Sequence, residues 1–216
     1  MTPDDNNLRR IKSLFCHSGE YHFSRWNKSI VPVIFGTDND SLTILKDAFA
    51  KVISYSTINM ADFDPELGAN FMIFFCKDWK ELEFVQNLNQ ILPKPEFLLK
   101  RLQGSKSNQY RLFRFTKNGS INFCIQLLKY DHEMSSISTY SLGLNQILKS
   151  IVFWSPTAFD KESPIEKLSG CDLPNIRPFF RSLITAAYDP VLPNQSRDEA
   201  HALRLLARSN LINTGG

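Results

Sequence analysis

The chain of 216 residues lacks several features that would assign a function at once. It has no run of about 18 apolar residues, so we predict no membrane span. Its nine glycines form neither of the two common phosphate-binding loop motifs, and no serine stands in the G-x-S-x-G context of a hydrolase nucleophile. The formal net charge is only +3 and the basic residues are dispersed, which predicts no nucleic-acid partner.

Cysteine is also scarce, and the four cysteines form no C-x-x-C motif, which excludes a disulfide scaffold. Two of them, Cys76 and Cys124, interrupt apolar segments and are predicted to be buried free thiols. The oxidation state stays open for the whole set, which is Cys16, Cys76, Cys124 and Cys171.

The composition that remains is typical of a soluble globular protein. Hydrophobic residues make up 43% of the chain and charged residues 22%, which excludes a wholly disordered or collagen-like chain. Residues 1–27 are polar and irregular and are predicted to form a tail or a loosely docked arm. No repeat or Gly/Ser linker divides the rest, so we expect one domain over residues 28–210 and a short tail at 211–216.

At the N-terminus the basic residues are not followed by an apolar stretch. We therefore expect no signal peptide in the chain as written, although an export signal removed beforehand stays an open alternative.

Two apolar segments near the start of the predicted domain are typical of buried strands. They cover residues 30–36 and 70–76, and a helix capped by Asp40 or Ser41 lies between them. A strand, a helix and a second strand in this order predict a parallel pair with a right-handed crossover.

The middle of the chain predicts a β-hairpin. Asn118-Gly119 is a strong turn signal, and aromatic or apolar segments flank it at 109–116 and 121–130. The fold class expected from these elements is mixed α/β (α+β). Further helices are predicted at 78–92, 95–102, 136–152, 176–187 and 200–208.

Two groups of residues could hold a metal ion. Asp38 and Asp40 lie between a strand and a helix, where carboxylates could bind Mg²⁺ as in haloacid-dehalogenase-type phosphatases, with Asp62 and Asp64 as a second pair. We favour the simpler interpretation that the helix dipole stabilises these Asp residues.

The histidines predict no complete zinc site. His132-Glu133 begins like the zinc-protease motif H-E-x-x-H, but Ser136 occupies the position of the second histidine. His17 and His22 beside Cys16 also lack further ligands. We therefore expect His132 and Glu133 in the loop before the long helix.

Basic and aromatic residues alternate in the first hairpin strand. Strand geometry puts Arg111 and Phe113 on one face and Tyr110 and Arg114 on the other. Exposed aromatics on a sheet can stack RNA bases. Because neither face is cleanly polar, we favour packing of the phenylalanines in the core.

Four segments, taken in order, resemble a mostly bacterial and often exported family, domain of unknown function 2927. They are Arg25-Trp26 with the strand 31–35, Ala69-Asn70 with FMIFF, Leu142-Gly143-Leu144-Asn145, and Tyr188-Asp189-Pro190-Val191-Leu192. The family looks related to the zincin metalloproteases. The resemblance implies a zincin-like mixed sheet with a parallel first half and an antiparallel hairpin, a long helix equivalent to the active-site helix, a helical C-terminal part, and export or a periplasmic location.

The same resemblance implies that the zinc site has degenerated. Projecting the zincin motif back from Leu142-Gly143 puts its two histidine positions at Ser136 and Tyr140 and its glutamate at Ile137. A serine and a phenol cannot jointly hold Zn²⁺ at neutral pH, so we expect no metal, no cofactor and no zincin-type catalysis.

The expected function is therefore a non-catalytic domain that binds a peptide or another protein, with strand addition as a plausible mode. The residues expected near its cleft are Ser136, Tyr140, Asn145 and Trp154. The alternative is a metal-dependent hydrolase, protease-like or phosphatase-like, with displaced ligands. Its candidate residues are His132 with Glu133, or Asp38 with Asp40. A plain structural subunit is a third hypothesis, and the oligomeric state stays open.

Overall fold

The computed structural model of the chain describes residues 3–61, 68–167, 170 and 173–214. The candidate residues Asp62 and Asp64, together with Cys171, lie outside the described residues. No described helix has the length and apolar character needed to cross a bilayer.

Helices and short strands alternate along the described residues. The helices are α1 (Pro3–Leu14), α2 (Asn39–Ile53), a 3-10 helix (Trp79–Phe84), α3 (Leu88–Ile91), α4 (Pro95–Gln103), α5 (His132–Ser135), α6 (Thr139–Ile151), α7 (Pro178–Ala187) and α8 (Ala200–Thr214). The strands are β1 (Cys16–His17), β2 (Glu20–Tyr21), β3 (Phe23–Ser24), β4 (Pro32–Phe35), β5 (Phe71–Cys76), β6 (Gln109–Phe115), β7 (Ile121–Lys129), β8 (Ile165–Glu166), β9 (Asn175–Ile176) and β10 (Gln195–Ser196).

Four strands form the main sheet, in the order β4-β5-β7-β6. β5 pairs in parallel with both β4 and β7, while β6 pairs antiparallel with β7. The sheet is thus mixed, and the predicted α/β (α+β) class is confirmed. The unit β4-α2-β5 is the predicted parallel pair, and β6 and β7 are the predicted hairpin. The zincin-like details of the class stay a prediction.

Helices cover both faces of this sheet. α2 and α6 lie on one face, over a large apolar cluster that includes Phe71 and Cys124. The 3-10 helix and α4 lie on the other face, over a smaller cluster that includes Ile125. Adjacent residues of β7 therefore serve different cores, as the two-residue period of a strand requires.

The contact between α2 and α6 is close because α6 carries a glycine there. A Cβ added at Gly143 would lie 2.8 Å from the Cβ of Ala48 and 3.2 Å from Cδ2 of Leu45. The helix begins after Ser138, whose side chain accepts a hydrogen bond from the Ser141 amide. Leu142-Gly143 is helical as expected, but the predicted start at residue 136 was three residues too early.

The segments that carry the family resemblance meet in the core. The buried Arg25 guanidinium donates to the carbonyl oxygens of Ala187 and Leu192, at 2.8 and 2.9 Å. The Tyr188 hydroxyl donates to the Ile151 carbonyl at 2.6 Å and accepts from the Trp26 amide at 3.3 Å. These residues tie the chain before β4 to the ends of α6 and α7, so their role in this structure is architectural.

Two local expectations were wrong. The segment 78–92 is not one helix but the 3-10 helix followed by α3, because Asn87 adopts a left-handed conformation with φ 58° between them. The N-cap of α2 is Asp38 rather than Asp40 or Ser41; its carboxylate accepts from the Ser41 amide at 2.8 Å.

The predicted N-terminal arm was also wrong. Residues 3–14 form α1, and Ile11, Leu14 and Phe15 are buried. Phe15 stacks on Trp154 with ring centroids 5.2 Å apart. Apolar residues at helical spacing give α1 one buried side, a pattern that a polar average composition conceals. At the other end, α8 continues past residue 210, where the predicted domain ended.

A histidine lies in the core beneath the N-terminal segment. His201 is fully buried. Its Nδ1 is 2.9 Å from the hydroxyl of Tyr21, while its Nε2 has no hydrogen-bond partner among the residues that the structure describes. Burial, with a smaller contribution from Arg204, lowers the pKa of His201 to about 4. The fold therefore holds this imidazole in its neutral form at neutral pH.

Stability should consequently fall in mild acid. Unfolded histidine has a pKa of about 6.5, so the contribution of neutral His201 is complete above that pH and is lost as the pH falls toward about 4. Between about pH 7.5 and about pH 5 we expect the free energy of unfolding to drop by about 2 kcal/mol because of this residue. Urea denaturation at both pH values measures the drop.

The drop in the variant His201→Gln should be smaller than in the wild type by about 2 kcal/mol, whereas His132→Gln, at an exposed histidine, should show the wild-type drop. The pKa of His22 is also lowered to about 4, so the comparison uses the difference between variant and wild type. An unchanged pH dependence in His201→Gln would contradict the assignment.

The close contact at Gly143 gives a second prediction. Gly143→Ala should lower the free energy of unfolding by about 1–3 kcal/mol, despite the better helix propensity of alanine, because the new Cβ overlaps Ala48. Gly104→Ala is the matched control, since its Cβ would meet only ordinary contacts at 3.6 and 3.8 Å. Equal stability of the two variants in chemical denaturation would show that α2 and α6 can separate at little cost.

Candidate functional site

One cleft lies at the carboxyl ends of the parallel strands, where open α/β sheets commonly bind ligands. It has a volume of about 420 Å³. Its walls come from the end of β5, the turns after β4, β5 and β7, the 3-10 helix, the first two turns of α2 and the first turn of α6. The lining residues are Gly36, Thr37, Asp38, Ser41, Leu45, Phe75, Cys76, Lys77, Glu81, Tyr130, Thr139 and Leu142.

Several polar groups of this strand-end cleft already form hydrogen bonds within the chain. Hydrogen bonds from Ser41 hold the pKa of Asp38 below its usual range. Glu81 accepts the Lys77 amide at 3.2 Å, and burial raises the pKa of Cys76 to about 12, which keeps its thiol protonated. Asp40 is exposed and does not line the cleft. The structure therefore does not bring Asp38 and Asp40 together as a metal pair.

The projected zinc positions do not share a helix. Ser136 lies in the turn after α5, two residues before the N-cap of α6, and donates to the Glu133 carbonyl at 2.7 Å. Tyr140 lies in the first turn of α6, half-buried against the larger core cluster. The helical i, i+4 geometry that a zincin site requires is thus absent between these two positions.

The displaced ligands also do not converge. His132 and Glu133, which were expected in a loop, form the first turn of the short helix α5, and both are exposed. The His17 ring stacks on Phe153 at 4.1 Å, and His22 contacts the same ring. Across the described ranges, no group of three or more His, Cys, Asp or Glu side chains could hold a metal ion.

A second cavity, here called the aromatic pocket, lies between β6 and the segment that follows α6. It has a volume of about 340 Å³. The lining residues are His17, Arg111, Phe113, Lys149, Phe153, Trp154, Ser155, Pro156, Phe159 and Asp160.

Two of the four predicted cleft residues lie at or beside this pocket. Trp154 forms part of its wall; its indole N–H donates to the Leu148 carbonyl at 2.7 Å. Asn145 lines a smaller adjoining cavity that shares Lys149, Phe159 and Asp160 with the aromatic pocket. Ser136 and Tyr140 line neither cavity.

Two cations face the aromatic pocket. The half-buried Arg111 donates from Nη2 to Oε1 of Gln146 at 3.0 Å, and its Nε is buried with no partner in the described part of the chain. Burial lowers the pKa of Lys149, and the positive charge of Arg111 lowers it further, while Asp160 opposes the effect. Neither cation forms an ion pair with a carboxylate of the described residues.

β6 borders this pocket and forms one edge of the sheet. The Lys129 amide donates to the Asn108 carbonyl at 2.8 Å, which fixes the alternation of paired and outward-facing residues in the hairpin. The N–H and C=O groups of Gln109, Arg111 and Phe113 therefore point away from β7. We call these groups the free edge of β6, because no described strand pairs with them.

Sequence reasoning placed Arg111 and Phe113 on one strand face, and the structure confirms this. Phe113 packs on Phe153 with ring centroids 5.4 Å apart, so its ring is part of a pocket wall. Lys149 and Phe159 were missed. No local sequence pattern could have identified them, because residues from a helix end and from a loop that meet in a pocket wall have no fixed spacing in the sequence.

In comparisons with known proteins, no family model matches the chain, and no curated protein or solved structure matches it significantly. The proposed role of the chain therefore depends on the geometry of its own residues.

Proposed function

We propose that this chain is a non-catalytic peptide-binding module that pairs an extended segment with the free edge of β6. One observation carries the proposal: the unpaired edge strand β6 also forms part of the wall of the aromatic pocket. Unpaired main-chain groups of an edge strand are a template for another strand, and pockets beside the edge supply specificity.

Alternation along β6 supports this binding mode. Two of the three residues whose main-chain groups face outward, Arg111 and Phe113, also line the aromatic pocket with their side chains. In a sheet, directly opposed residues project their side chains on the same face. A peptide residue opposite Arg111 or Phe113 would therefore direct its side chain into the pocket, while its neighbours would point to the other face.

Two features of β6 favour binding over aggregation. The strand has half-buried residues along most of its length, so it is held in the sheet by its side chains. It also carries two arginines, Arg111 and Arg114, and charges on an edge strand oppose unspecific pairing of like copies. The edge is thus open to a strand of suitable charge and discourages self-association.

The main-chain contact can be tested with a proline. Gln109→Pro removes an outward N–H that the hairpin does not use, whereas Gln109→Ala removes the same side-chain contacts and keeps that N–H. For the peptide most enriched from a random phage-displayed library, we expect Gln109→Pro to weaken binding about tenfold relative to Gln109→Ala. Titration calorimetry measures both affinities.

Amide hydrogen exchange locates the contact independently. Bound peptide should slow exchange at Gln109, Arg111 and Phe113, and change little at Tyr110 and Leu112, which already bond to β7. Equal affinity of the two Gln109 variants, together with unchanged exchange at the free edge, would show that peptide binds elsewhere or not at all.

A further inference from the structure

We infer that the segment bound at β6 carries an acidic residue opposite Arg111 and an aromatic residue opposite Phe113, and therefore two positions apart. This inference rests on the proposed function and deepens it by naming the chemistry of the ligand. It follows from the charges and the shape of the aromatic pocket.

The described residues leave part of the hydrogen-bonding capacity of the Arg111 guanidinium unused. Among the described residues, its side-chain partner is the neutral amide of Gln146, at 3.0 Å, and its buried Nε has none. A half-buried cation without a counter-charge is partly desolvated at a cost, and a carboxylate that accepts from its guanidinium N–H groups offsets that cost. An acidic ligand residue supplies the missing acceptor.

The remaining charges around the pocket favour the same ligand. Lys149 contributes a second cation, and Asp160 at the exposed rim is the carboxylate that faces it. His17 lies in the same wall, and burial lowers its pKa, which favours its neutral form. Two cations against one carboxylate leave the pocket positive, so it attracts an anionic side chain.

Strand geometry brings the two charges together. Side chains of directly opposed residues on neighbouring strands have Cβ atoms about 5 Å apart, and opposite charges in such pairs are stabilising. A Glu or Asp opposite Arg111 therefore reaches the guanidinium directly, on the face that Arg111 shares with Gln146. Pairing with the free edge of β6 thus determines which residue of the bound peptide lies opposite Arg111.

The next residue of β6 on the same face, Phe113, is apolar. Half-buried Phe113 and Phe115 contact Phe153 edge to face, with ring centroids 5.4 and 5.0 Å apart. A carboxylate alone leaves much of the 340 Å³ pocket empty. An aromatic side chain opposite Phe113 fills that volume and adds to the edge-to-face contacts, which favours it over a small or polar residue.

The test uses blocked synthetic peptides of threonine and valine that carry Glu and Phe two positions apart, in both orders, with matched peptides that have Gln in place of Glu. On the wild-type chain, we expect one of the two orders to bind, and its Glu form to bind about tenfold more tightly than its Gln form. Arg111→Met and Lys149→Met should each reduce this preference severalfold. Arg114→Met, on the opposite face of the same strand, is the matched control and should retain it.

The outcomes separate this inference from the proposed function. Equal affinity for Glu and Gln peptides, with exchange still slowed at the free edge, would overturn acidic recognition and leave strand addition standing. If Arg114→Met lost the preference for Glu over Gln peptides, the assignment of acidic recognition to the aromatic pocket would be overturned. No peptide binding in any arm, or displacement of the peptide by a single-stranded oligonucleotide, would overturn both proposals.

Discussion

The close packing of α6 on α2 is the constraint on which the rest of this structure depends. With no side chain at Gly143, α6 lies against Ala48 and directly above the sheet. The carboxyl end of α6 is then held by two indole N–H groups, from Trp26 to the Ser150 carbonyl and from Trp154 to the Leu148 carbonyl. A wider separation of the helices would change the position of Lys149 and of the aromatic segment after α6 relative to β6.

A buried polar layer between α6 and the sheet orients the pocket. The Gln126 amide of β7 donates to the Gln146 carbonyl at 3.0 Å and to the Ser150 hydroxyl at 2.6 Å. Gln146 in turn accepts from Arg111, so the guanidinium is held by a side chain whose own position is determined by the core. Buried networks specify one arrangement to the extent that their polar groups are paired, and here Oε1 of Gln126 and Nε of Arg111 have no partner among the described residues. The contact with Gln146 therefore positions the cation of the pocket without fully satisfying it.

The elements with a strong local signal were predictable, and those assembled from distant segments were not. The parallel unit, the hairpin around Asn118-Gly119 and the helical state of Leu142-Gly143 all followed from apolar periodicity and turn chemistry. The N-terminal helix α1 was missed because only a few apolar residues of a polar segment face the core. Of the predicted cleft residues, Trp154 and Asn145 lie at neighbouring cavities, whereas Ser136 stands outside α6 because that helix begins later than its apolar stripe suggests.

The amino-acid sequence alone was enough to predict a mixed sheet, the strand face that Arg111 and Phe113 share, and the lack of a consecutive metal motif. These properties depend on neighbours a few residues apart, and helical or strand periodicity reports them directly. Tertiary structure alone decided that Arg111 pairs with no carboxylate of the described residues, that Lys149 lies beside it, and that β6 forms an edge. Each of these facts depends on contacts between segments that are far apart in the sequence. The packing of the whole core determines those contacts.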